Sequence, residues 1–210
     1  MIRIMEPRRL KLAVLASGRG SNFDAIQNAI AKGDLAADIK ILISDQQQAP
    51  ALDKAAGYGI EALYVNPHDY QNRDAYENYI VSQTKKHEID LIVLAGYMRL
   101  VGKVFLNDYK WRIVNIHPAL LPSFTGLHAQ KQAVDYGVRY SGCTVHLVDE
   151  GMDTGPIILQ AVVPVHFEDD EESLAERILH EEHQIYWQAL QLFAEGRLFI
   201  ENRKIHIAKA

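Results

Sequence analysis

Apolar and polar positions follow two rhythms along this chain, and the rhythms alternate. Leu12-Ala13-Val14-Leu15-Ala16 is a short apolar run that predicts a buried strand, and it leads straight into Ser17-Gly18-Arg19-Gly20-Ser21-Asn22. Phe23, Ile26 and Ile30 then recur at helical spacing, with Gly33 as a stop. Residues 39–44 predict a second strand ending at Asp45, and residues 49–58 a helix closed by Gly57 and Gly59. A third strand over 62–65 turns at Asn66-Pro67, and one helix is expected over 69–87 with Tyr76, Tyr79 and Ile80 as its apolar stripe. Residues 91–95 are apolar throughout, the pattern of a strand buried on both faces. A second loop, Gly96-Tyr97-Met98-Arg99-Leu100, leaves its carboxyl end, and 112–116 forms the fifth strand. Further on, the pattern predicts a helix over 126–136 closed by Gly137, and strands over 141–148 and 156–165 that pair as a hairpin-like return. A long helix over 173–194 ends at Gly196, and a terminal hairpin over 198–207 turns about Asn202.

This order predicts an α/β fold: a mostly parallel open sheet with helices on both faces, right-handed crossovers and an antiparallel return at the C-terminal part of the sheet. Ligand sites in such sheets lie outside the carboxyl ends of the strands. Three stretches with chemical potential fall there. The first is the glycine turn between strand and helix, where free backbone N–H groups and the helix dipole favour an anion. The dinucleotide fingerprint fails because Phe23 stands where its third glycine belongs, and no Gly-Lys-Ser/Thr completes a phosphate loop of the Walker type. What survives is a pocket for one phosphate, with Ser21 and Asn22 adding side-chain bonds.

The second stretch is Asn115-Ile116-His117-Pro118, with Leu121-Pro122 close behind. On a strand, Asn115 and His117 share a face. The two prolines then force the chain out of the sheet. An amide donor beside a titratable imidazole suggests an acid/base site. The third is the turn Asp149-Glu150-Gly151-Met152-Asp153-Thr154-Gly155-Pro156. Its Asp153 is the carboxylate to pair with His117, because such a neighbour favours the charged ring and fixes its tautomer. Other candidates are weaker. His180 and His183, beside Glu181 and Glu182, have a metal-ligand spacing but no third ligand motif, and read as a solvated helix face. Cys143 reads as core, and His146, alternating away from it on the same strand, as structural. The acidic run 168–172 complements a helix start.

Composition narrows the class. The chain has 210 residues, 48% hydrophobic and 23% charged, which suits a soluble globule and one domain over 1–210 with residues 1–11 as a short tail. A net charge of -5 argues against a nucleic-acid binder. A lone cysteine leaves no intrachain disulfide and fits a reducing compartment. With no signal-like segment at the start and no membrane-length apolar run, the expectation is a cytoplasmic protein without a membrane partner.

Four motifs, in order, now stand together: Ser17 to Asn22, Leu94-Ala95-Gly96-Tyr97-Met98-Arg99, Asn115-Ile116-His117-Pro118 with Leu121-Pro122, and Asp153-Thr154-Gly155-Pro156. They closely resemble the phosphoribosylglycinamide formyltransferases, folate-dependent enzymes of purine synthesis, over roughly residues 12–196. The resemblance implies a Rossmann-like formyltransferase fold and transfer of a formyl group from 10-formyltetrahydrofolate, as co-substrate, to phosphoribosylglycinamide. It implies Asn115, His117 and Asp153 as catalytic residues, with no metal. It implies Gly20, Ser21, Asn22 and Glu182 for the glycinamide substrate. For the folate it implies Arg73, Met98, Arg99, Leu100, Val101, Asn115, Asp149, Glu150, Gly151, Met152 and Asp153. A cis Leu121–Pro122 bond is also expected from it, together with the turn chemistry. Monomer and homodimer both remain open. A formyltetrahydrofolate deformylase, which hands the group to water, and a non-catalytic folate- or phosphate-binding module are the alternatives. An NAD-dependent oxidoreductase is disfavoured by Phe23.

Overall fold

The computed structural model describes residues 1–209. In chain order its elements are β1 (Ile2–Arg3), β2 (Leu10–Leu15), α1 (Ser21–Lys32), β3 (Ala37–Ser44), α2 (Pro50–Gly57), β4 (Glu61–Tyr64), a 3-10 turn (Pro67–Asp69) and α3 (Arg73–Lys86). They continue as β5 (Leu91–Leu94), α4 (Lys103–Asp108), β6 (Ile113–His117), α5 (Ala129–Tyr136), β7 (Tyr140–Leu147), β8 (Ile157–Pro164), α6 (Glu171–Ala194), β9 (Leu198–Glu201) and β10 (Lys204–Ile207). Seven strands make the main sheet in the order β4-β3-β2-β5-β6-β7-β8, and β1, β9 and β10 make a small second sheet. The pairs from β4 through β6 are parallel, and β6–β7 and β7–β8 are antiparallel. The expected α/β architecture and its antiparallel return are therefore present.

Apolar residues cover both faces of the central strands because helices cover both faces of the sheet. Leu12 and Val14 of β2 join one core with Phe23 and Ile26 of α1 and Ile178 and Tyr186 of α6. Ala13 and Leu15, pointing the other way, join a second core with Tyr76 and Ile80 of α3 and Phe105 of α4. The chain winds outward from β2 to β3 and β4, then returns to place β5 on the other side of β2. The topological switch point thus lies between the carboxyl ends of β2 and β5, where the two expected ligand loops begin.

Several boundaries differ from the sequence expectation. Residues 1–11 are more than a tail: β1 pairs with β9, Arg8 N donates to Ala194 O, and Leu10 is a fully buried start to β2. The helix expected over 69–87 is interrupted, because the side chain of Asn72 accepts from Ala75 N and caps a new start at Arg73. Tyr79 leaves the apolar stripe for solvent, and Val81 and Thr84 are buried instead. Residues 126–128 stay outside α5, and the short α4 was not foreseen. The hairpin about Asn202 forms as expected.

Helix α6 carries a buried bolt for the sheet. The hydroxyl of Tyr186 shares its one hydrogen between the carbonyls of Leu94 at 2.8 Å and Val114 at 3.1 Å, at the end of β5 and near the start of β6. Tyr186→Phe leaves those carbonyls without the donor and costs about 1–3 kcal/mol. Urea unfolding reads this as a lower midpoint at unchanged slope. An unchanged midpoint would show that the bolt carries no load.

Candidate active site

Strand β6 ends in Asn115-Ile116-His117, and its antiparallel register with β7 sets Asn115 opposite His146 and His117 opposite Thr144. His117 is 5% exposed. Its Nε2 lies 2.8 Å from the Phe124 carbonyl, and its Nδ1 lies 3.4 Å from Asp153 Oδ2. An oxygen acceptor thus faces each ring nitrogen, an arrangement that a ring with N–H on both sides satisfies. The Nδ1 contact is longer than a normal hydrogen bond, so that edge has donor capacity left for another oxygen. Asp153 Oδ2 also accepts from Gly126 N at 2.8 Å, which is why 126–128 leaves the helix it was expected to join.

The pair expected from sequence, His117 and Asp153, therefore meets. His146, read as structural, belongs beside them. Its Nδ1 donates to the Leu147 carbonyl at 2.9 Å, which leaves Nε2 to accept from Asn115 Nδ2 at 3.2 Å. Burial pushes the His146 ring below its usual pKa, which favours the neutral form that this role uses. Asp153 Oδ1 lies 3.8 Å away. The available signal was alternation: His146 shares a face with Thr144, and an antiparallel neighbour would bring that face to Asn115 and His117.

The loop after β6 is held by Thr144. Its hydroxyl donates to Ala119 O at 2.7 Å and accepts from Leu121 N at 3.1 Å and Gln160 Nε2 at 2.9 Å. The Leu121–Pro122 peptide is cis, as expected. Phe124 and Asp153, whose oxygens face the two His117 ring nitrogens, both have left-handed backbones, with φ of 53° and 54°. Non-glycine residues held this way are strained and cluster at functional sites.

The glycine turn after β2 forms the expected N-terminus. Gly20 caps α1 with a φ of 72°, and a Cβ there would stand 2.9 Å from Ala51 Cβ, so the position needs glycine on both counts. The Asn22 amide donates at 2.8 Å to Glu182, and its Oδ1 has no hydrogen-bond partner among the described residues. Glu182 is 7% exposed and sits on α6, which brings it from a presumed solvated face into the site wall. His180 and His183, on the same helix, gain no third partner: among the described residues no three His, Cys, Asp or Glu side chains gather as metal ligands.

The loop after β5 stands beside this turn. Ser17 N donates to Gly96 O at 3.0 Å. The Ser17 hydroxyl accepts from Met98 N at 2.9 Å and donates to buried Asp45 at 2.5 Å. Met98, Leu100 and Met152 expose apolar side chains around the edge. The Arg99 guanidinium lies 5.3 Å from the centre of the Tyr76 ring. Arg73 Nη2 reaches Leu100 O at 2.5 Å. In the turn 149–153, Asp149 Oδ1 accepts from Gly151 N at 3.1 Å and from the Thr154 hydroxyl at 2.6 Å. Glu150 and Gly151 are exposed, and Val101 is half-buried against the α3–α4 core.

The edge therefore brings together a carboxylate-paired imidazole, an amide beside it and a helix N-terminus, an arrangement suited to a group-transfer enzyme. Residues 10–190 match the formyl transferase family. Over 176 residues, 84% of this chain and 90% of the relative, the chain is 44% identical to phosphoribosylglycinamide formyltransferase of Bacillus subtilis strain 168. It is also 42% identical over 201 residues to the trifunctional purine biosynthetic protein adenosine-3 of Drosophila melanogaster, covering 94% of this chain but only 15% of that longer protein. The crystal structure of glycinamide ribonucleotide transformylase 1 from Symbiobacterium toebii aligns with a TM-score of 0.94 at 45% identity, over 98% of this chain and 95% of that one. The chain belongs to the phosphoribosylglycinamide formyltransferases.

Burial pushes the Glu182 carboxyl up to about 7, against the partial relief of the Asn22 bond. The folded value lies above the unfolded one, so the unfolded chain loses this proton first as pH rises. The contribution is full below about 4.5 and lost as pH climbs through about 7. Glu182→Gln is therefore more stable than the parent at pH 8, by up to about 3 kcal/mol, and the gap closes towards pH 5. Urea titrations at the two pH values check this; a gap independent of pH would refute it.

Proposed function

We propose that the chain transfers the formyl group of 10-formyltetrahydrofolate to the amine of 5'-phosphoribosylglycinamide, a step of de novo purine (IMP) biosynthesis. The observation that carries the reading is the convergence of Asn115, His117 and Asp153 at a sheet edge shared with the α1 anion pocket. The relatives bear names with the same activity, and the residues suit the co-substrate: exposed Met98, Leu100 and Met152 offer apolar contact to a flat ring beside the three polar groups.

Gly20, Ser21 and the backbone of Asn22 hold the phosphate at the helix N-terminus, and Glu182 contacts the glycinamide end. The loop 98–101 with Arg73, and the turn 149–153, take the folate. The co-substrate supplies a formyl carbon already activated by its nitrogen. Attack by the amine forms a new C–N bond and places negative charge on the formyl oxygen. Asn115 gives one amide hydrogen to His146 and keeps the other for that oxygen. His117 donates from its Nδ1 edge. Asp153 pairs with the imidazole and orients the water that takes the proton from the attacking amine to the leaving nitrogen, whose bond to carbon breaks.

The test is to mix the protein with both substrates and follow formyl loss spectroscopically. Loss that requires the glycinamide amine supports the transferase, whereas formate release without it would identify a deformylase. In that assay Asp153→Asn lowers kcat by roughly 10²–10⁴-fold with little change in KM, and Asn115→Ala lowers it by about 10²–10³-fold. An Asp153→Asn variant of unchanged kcat sinks the assigned role.

A further inference from the structure

Glu77 is a buried acid for which the chemistry above has no use. Its side chain is 2% exposed, one turn along α3 from Arg73. Oε1 accepts from Arg73 Nε at 2.9 Å and from Gly102 N at 2.7 Å, and the buried Oε2 has no hydrogen-bond partner among the described residues. Arg73 Nη2 is committed as well, to the Leu100 carbonyl. Nη1 makes no hydrogen bond among the described residues, so both of its hydrogens remain available, besides the second hydrogen on Nη2. Gly102 has an ordinary φ of -101°, yet a Cβ there would lie 2.7 Å from both Glu77 oxygens and 2.8 Å from Arg73 Nε. A side chain there would have to push the carboxylate aside, whereas the backbone itself does not call for glycine.

A carboxylate out of water is tolerated only with a charged partner and hydrogen bonds. The same pairing removes most of the rotamer freedom of Arg73 before any ligand arrives, which lowers the cost of binding through it. We infer that Glu77 is a positioning residue for folate specificity: it locks the Arg73 guanidinium so that Nη1 is presented to the carboxylates of the donor's glutamate tail. It also pins the wall at Leu100 and Gly102. The inference rests on the reading of Arg73 as the tail contact.

The experiment compares KM for 10-formyltetrahydrofolate with KM for 10-formyltetrahydropteroate, which lacks the glutamate, in the parent, Arg73→Ala and Glu77→Gln. The parent prefers the donor with the tail, and Arg73→Ala loses that preference. Glu77→Gln keeps an acceptor for Gly102 but not the charge. It raises KM for the glutamate-bearing donor roughly tenfold, with KM for the tail-less donor and both kcat values changed less than about twofold. If Glu77→Gln raises both KM values alike, Glu77 only staples the wall and the proposal falls. If Arg73→Ala abolishes the preference and Glu77→Gln keeps it, the proposal falls while the tail contact stands. A preference that survives Arg73→Ala removes the tail contact and the proposal together. Should Glu77→Gln fail to fold, Gly102→Ala, which displaces the same carboxylate with its charge intact, must reduce the same ratio.

Discussion

The register between β6 and β7 decides what the sheet edge contains. With Asn115 opposite His146 and His117 opposite Thr144, a single alignment provides the amide with its partner and the proline loop with its anchor. Moving β7 by one residue would present Cys143 and Val145 instead, since successive side chains point to opposite faces. Thr144 holds Ala119 and Leu121, and the chain leaving them returns the Phe124 carbonyl to His117. The left-handed backbones of Phe124 and Asp153 are tolerated because this framework holds them in place.

Three buried acids mark the joints between that framework and the loops. Glu182 ties α6 to the glycine turn, Asp45 ties β3 to Ser17, and Glu77 ties α3 to the loop after β5. Each is almost wholly out of water. Such acids are not what stability alone would select, because desolvating a carboxylate often exceeds the gain from its contacts, and replacing acid and partner together by apolar residues is often neutral or better. What the acids offer is geometric: each holds a defined donor in place, as supports around a functional site must. The elevated Glu182 carboxyl shows the cost directly, since its raised value reflects the penalty for holding charge in that wall.

Much of this was legible in the sequence. Strands with uninterrupted apolar runs, such as residues 91–94, announced a sheet covered on both faces, and the glycine turn announced a helix N-terminus at a strand end. Asn115, His117 and Asp153 were legible through motif order. The roles of His146 and Glu77 were not, for a common reason: each depends on what stands opposite in space. His146 needed the β7 register, and Glu77 needed Gly102, distant in sequence, to arrive over its carboxylate. The break in the helix over 69–87 was a local event, a cap supplied by Asn72, a residue type that favours N-caps over helix interiors. The N-terminal residues were misread because the partner of β1 lies at the far end of the chain.

The switch point also explains why direct transfer suits this fold. The turn after β2 and the loop after β5 meet through Ser17, whose hydroxyl serves Met98 N and Asp45 at once. On the proposed reading, a phosphate anchored at the α1 N-terminus and a folate ring along 96–101 are thereby held on either side of one hydroxyl. Their amine and formyl carbon approach over Asn115 and His117. Holding two reactants in attack geometry removes much of the entropic barrier of a bimolecular step. No protein nucleophile is then required to carry the group between them, and the lone thiol is placed accordingly. Cys143 lies fully buried on the strand face away from His146, its pKa pushed up to about 12 by burial, where it serves the core.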